Sequence, residues 1–117
     1  MVRSMGGAGG GGPSTLGLPM ANLADGDSVE IVRRIASDET LAVLGAGTQT
    51  DATNVPSGLE AVVYDLTNAA DIVRVNDKDA AGDPLGEVSG PVDVAFRVSN
   101  NTGGSQNASG AFEFEVS

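Results

Sequence analysis

Asp77, Asp79 and Asp83 are the side chains best placed to do chemistry in this 117-residue chain. In NDKDAAGD, residues 76–83, the first two aspartates are spaced like the first two ligands of a calcium loop, and Gly82 holds the turn position. Hard carboxylate oxygens at that spacing suit calcium, or sodium and potassium at high salt. The resemblance stops at the fifth position, where Ala81 offers no side-chain oxygen, and at the twelfth, where Val88 replaces the required glutamate. A solvated acidic turn is the simpler reading, and a bound cation the functional one.

Two further motifs invite chemistry. LAVLGAGTQT, residues 41–50, has an apolar strand running into Gly45-x-Gly47, as a dinucleotide loop does. The third glycine of that fingerprint is replaced by Thr50, and DATNVPS follows where a helix is needed, so an ordinary glycine turn is expected. Asn100-Asn101-Thr102 and Asn107-Ala108-Ser109 match the N-glycosylation acceptor pattern. Both fall in a polar stretch, residues 100–110, whose Asn, Ser and Gly content also suits loop chemistry alone.

The chain has no histidine, cysteine or tryptophan. That removes the common nucleophilic triads, thiol redox chemistry, disulfides and most zinc or iron sites. Nothing marks a cleft in which one of two carboxylates is raised to act as an acid. A non-enzyme with no cofactor beyond a cation is therefore expected.

The elements that position these residues are strands. From Asp27 onward the apolar period is two. DSVEIVRRI sets Val29, Ile31 and Ile35 against Glu30, Val32 and Arg34. Thr40–Leu44, Leu59–Leu66 and Asp71–Asn76 are further short strands. Pro91–Asn100 carries Val92, Val94, Phe96 and Val98 on one face, and Ala111–Val116 carries Phe112, Phe114 and Val116. Turn-formers punctuate the run, including Gly45-Ala46-Gly47, Pro56-Ser57-Gly58 and Gly82-Asp83-Pro84. This pattern predicts an all-β domain over residues 25–117, an antiparallel β-sandwich of jelly-roll or immunoglobulin-like type. Residues 1–24 show no period and hold seven of the 17 glycines within their first 17 positions. An extended, Gly-rich N-terminal arm is expected there, unable to order itself and held by neighbouring subunits. Leu16, Leu18 and Met20 stand at alternate positions as its partner-binding anchors. Deleting residues 1–20 is accordingly expected to leave a folded domain that no longer assembles.

Sixteen acidic residues face six basic ones, for a net charge of -10, and Lys78 is the sole lysine. Such a surface repels itself at low salt and is relieved near 1 M, where the screening length falls to about 3 Å. No basic cluster suits direct binding of nucleic acid. No apolar run suits a membrane span. No apolar secretory stretch follows Arg3, which favours synthesis and retention in the cytoplasm.

With the arm MGGAGGGGPSTLGLP, the strands PVDVAFRVSN and GAFEFEV, and the acid excess in view, the chain resembles small virion structural proteins of haloarchaeal viruses. The resemblance rests on character along the whole chain, not on a motif. It implies a capsid, cement, vertex or adaptor protein, assembled in the host cytoplasm into the virion. The implied partners are sister subunits, as a homo-oligomer, and other virion structural proteins. A carbohydrate- or cell-surface-binding module, using the 100–110 loop, is the alternative. An accessory domain of a halophile's cytoplasmic complex is a third reading.

Overall fold

Alternating apolar residues can bury one face only against a second such face, and this chain does so with two antiparallel sheets. The computed structural model describes residues 13–80 and 84–117. Nine strands follow in order: β1 (Ser14–Leu23), β2 (Ser28–Ile35), β3 (Thr40–Thr50), β4 (Leu59–Asp65), β5 (Ala70–Asn76), β6 (Lys78–Ala80), β7 (Gly86–Ser89), β8 (Val92–Asn100) and β9 (Gln106–Val116). The first sheet has the order β1-β9-β3-β6, with β7 also paired to β3; the second has the order β2-β8-β4-β5.

Counting β6 and β7 as one interrupted strand, the pairing is nested. The first strand pairs with the last, the second with the next to last, and so inward to the β4–β5 hairpin. Among the two sandwich types anticipated, this order is that of the eight-stranded jelly roll. The core lies between the sheets and is mainly aliphatic, with Ile35, Leu41, Leu59, Val63, Val94 and Val98 fully buried. Phe96 of the second sheet packs edge-on against Phe112 of the first at 5.3 Å, and at 5.1 Å from Phe114.

Three expectations are corrected. The boundary at residue 24 moves, because Ser14–Leu23 is a strand of the sandwich, paired to β9, with Leu18 and Leu23 in the core. Gly45-Ala46-Gly47 is not a turn but the middle of β3, whose eleven residues run on to Thr50. Here β3 carries an extra residue at Leu44, since Glu113 faces Gly45 while Phe114 faces Val43. That bulge switches the inward set from Leu41 and Val43 to Ala46, Thr48 and Thr50, which hides the alternation from a period-two reading. Finally, the polar stretch 100–110 is mostly strand: β9 begins at Gln106, and the connection shrinks to residues 101–105.

Candidate functional site

The three apolar residues at alternate positions in β1 do not share a role. Leu18 is 3% exposed and belongs to this chain's own core, and Leu16 packs against that core half-buried. Met20, 48% exposed, is the most open of the three to a partner. The cause is a second bulge. Ala108 of β9 faces Ala21 and Gly110 faces Leu18, so Pro19 and Met20 share one step of the ladder. Pro19 has no N–H to donate, a defect that a bulge on an edge strand tolerates. The strand reverses its faces there, which turns Met20 outward and brings Leu23 inward. Leu18 is thus withdrawn as an anchor, because a side chain already buried in its own core has no surface left to give, whereas Leu16 keeps part of its surface.

The acidic turn is described only in part. Asp77 is the corner between the sheets, with a left-handed backbone (φ 66°) that aspartate adopts more readily than most residues. Its carbonyl oxygen accepts bonds from the Thr48 amide and from Thr48 Oγ1, the latter at 3.3 Å. Asp79 lies on β6, opposite Ala46, and Asp83 falls outside the described residues. Among the described residues no three carboxylates converge as a metal site. Asp77 is therefore accounted for by its backbone, and the calcium-like spacing by a sheet-to-sheet corner.

The structure instead brings Asp79 to a depression of about 420 Å³ on the first sheet. Its floor is backbone laid bare at Gly45 and Gly47 of β3, with the small side chain of Ala111 on β9 beside them. Thr15, Gln49, Ser109 and Glu113 border it, with Lys78 and Asp79 of β6 at the other rim. Lys78 sits where it does because Gly47 lets it: a Cβ on Gly47 would lie 2.9 Å from the Lys78 Cβ. The result is a small-residue trough with hydrogen-bonding walls, suited to hold an extended chain or a slim polar ligand. Sequence reasoning missed it, since small residues on neighbouring strands become a trough only once β3 and β9 are known to pair.

The connection after β8 is shaped by Asn100, which is fully buried. Its Nδ2 donates to the carbonyls of Leu23 and Gly104, both at 2.8 Å, and its Oδ1 accepts from the amide and hydroxyl of Thr102. Every side-chain donor and acceptor is thus used within the fold, and the sequon residue has no path to a glycan. Asn107 is different: it is exposed on β9, accepting from Asn22 and donating to Asp51, both at 2.9 Å.

Charge is divided between the sheets. All four arginines of the described residues stand on the second sheet: Arg33 and Arg34 on β2, Arg74 on β5 and Arg97 on β8. Arg97 bonds Glu30 at 2.7 Å and lies 5.0 Å over the Tyr64 ring, while Arg34 reaches Asp93 at 3.3 Å. Arg74 is held by Asp71 at 2.9 Å and also by Glu60, which raises its pKa further above the ordinary arginine range. Among the described residues no helix is long and apolar enough to cross a membrane. The chain matches no known protein family, and no curated protein is similar to it in sequence.

Proposed function

We propose that the chain is a non-enzymatic structural subunit of a virus particle from a halophilic archaeal virus, of the capsid, cement, vertex or adaptor class. The observation that carries this reading is a jelly-roll strand order joined to an acid-rich, lysine-poor composition. Jelly rolls recur in viral capsids and in lectins, so the fold narrows the choice by analogy and the composition supplies the brine. On this reading the tether to neighbours is the glycine-rich sequence ahead of β1, residues 1–13, of which 1–12 lie outside the described residues, with Met20 as an outward contact. Sister subunits and other virion proteins are the partners. Quantitative mass spectrometry of particles purified at high salt tests the proposal. A fixed copy number relative to the major shell protein is expected, and absence from clean particles sinks it.

The alternative, a carbohydrate- or cell-surface-binding module, draws on the same fold and on the trough. Against it stands the placement of the four aromatic residues. Phe96, Phe112 and Phe114 are turned into the core, and Tyr64 lies under Arg97 on the other sheet. None is left as a stacking platform at the trough. Binding of cell-envelope glycans that Gln49→Ala abolishes would favour this second reading.

A further inference from the structure

An unpaired edge strand presents a row of backbone donors and acceptors, and native proteins usually blunt it. Among the described residues, most edges of this sandwich are blunted. β1 has Pro19 within a bulge. β6 and β7 are only three and four residues long. β5 carries a bulge against β4 and is overlain at Ile72, where a Cβ on Gly86 would lie 2.5 Å from the Ile72 carbonyl oxygen.

β2 differs. Its eight residues pair with β8 without any register shift, and it contains neither proline nor glycine. Ile31 and Val32, on opposite faces, are 41% and 51% exposed. On the outer face Val32 stands between two charges of opposite sign, Glu30 and Arg34. Each is matched across the ladder to its opposite, Arg97 and Asp93.

We propose that β2 is a homodimer edge, at which two copies of this chain join antiparallel with Val32 on the two-fold axis. A two-fold normal to the sheet keeps the outer faces together. Centred on Val32, it sets Glu30 against Arg34 of the partner subunit, twice. A row then runs Arg97, Glu30, the partner subunit's Arg34, the partner subunit's Asp93, alternating in sign at every strand. The two Val32 side chains cover each other. On the inner face Ile31 meets the stem of the partner subunit's Arg33, whose charged end is drawn aside as Arg33 is here, 5.5 Å over the Phe114 ring. Other centres do worse: Ile31 on the axis leaves Glu30 opposite valine, and Arg33 on the axis opposes like charges. The occupant is a second copy because the edge is complementary to itself, and because this sheet holds the arginines of an otherwise acidic molecule. The inference stands independently of the particle reading.

The test is sedimentation velocity of the full chain at about 1 M salt, where long-range repulsion is screened to roughly 3 Å. A dimer is expected. Glu30→Arg and Arg34→Glu each create two like-charge pairs and should weaken it by about tenfold or more. Mixing the two variants restores opposite charges at both positions and should restore the dimer. The chain lacks cysteine, so Val32→Cys introduces a single thiol; on oxidation it should form a covalent dimer, because opposed residues lie within disulfide reach. Ser105→Cys, exposed in the connection between β8 and β9, should not. Should a charge variant fail to fold by circular dichroism, the cross-link decides. A monomer at every concentration, or a Val32→Cys chain that does not cross-link faster than Ser105→Cys, overturns the proposal. A particle protein that is monomeric overturns only this inference; a dimer absent from particles overturns only the proposed function.

Discussion

Single polar side chains hold the ends of this sandwich. Asn100 joins three chain segments, bonding Leu23 at the end of β1 and Thr102 and Gly104 in the connection. Replacing it with alanine strands the buried Leu23 carbonyl, at a cost of about 1–3 kcal/mol, and frees the part-buried groups of the connection, so Asn100→Ala should destabilise by about 3 kcal/mol in denaturant titrations. Glycosylation in a competent host should modify Asn107 and leave Asn100 untouched. Asp65 plays a comparable part at the β4–β5 turn. It is 4% exposed and accepts from Asn68 Nδ2 at 2.8 Å and the Asn68 amide at 2.9 Å. The Asn68 side-chain bond, against the opposing effect of burial and with help from the backbone bonds, holds its carboxyl below the ordinary aspartate range. A depressed folded-state pKa stabilises above the unfolded value, and that stability is lost as pH falls through the folded one. Asp65→Asn should therefore lower stability at neutral pH and flatten the decline below about pH 4, as followed by unfolding at a series of pH values.

At the scale of elements, the strands with unbroken alternation could be read directly. Pro91–Asn100 and Ala111–Val116 place Phe96, Phe112 and Phe114 in the core as their spacing requires. Reading failed where a bulge resets the period. At Leu44 and at Pro19-Met20 the inward set changes parity, so β3 looked like a strand followed by a turn, and β1 like an arm with three equivalent anchors. The trough was illegible for another reason: it is made of side chains that are absent, on strands far apart in sequence. On the inner face, Gly110 shows a different use of a missing side chain. A Cβ there would lie 2.3 Å from Val98 Cγ2, because the two sheets close to contact at this point. Gly110→Ala must push them apart and should cost about 1–3 kcal/mol, which thermal unfolding would register. An unchanged midpoint would mean that β9 can shift freely at its bulge.

For the whole molecule, the decisive change is that β1 belongs to the fold. Burial of Leu18 and Leu23 contributes roughly 1.5–3 kcal/mol each, and β1 also covers the β9 edge. Deleting residues 1–20, expected from sequence to spare the domain, should instead unfold it or render it aggregation-prone, as light scattering and circular dichroism would show. A well-folded 1–20 deletion would remove β1 from the cooperative unit.

The nested pairing also governs how the molecule comes into being. Leu16 faces Phe112 and Ser14 faces Phe114, so partners far apart in sequence must find each other. Only the β4–β5 hairpin closes through a short loop; the outer pairs must recoup the entropy of successively longer ones. Synthesis compounds this, because β1 emerges first and its partner β9 last. Folding should thus proceed from the hairpin outward and finish slowly, with β1, made before every other described strand, among the last to reach its place.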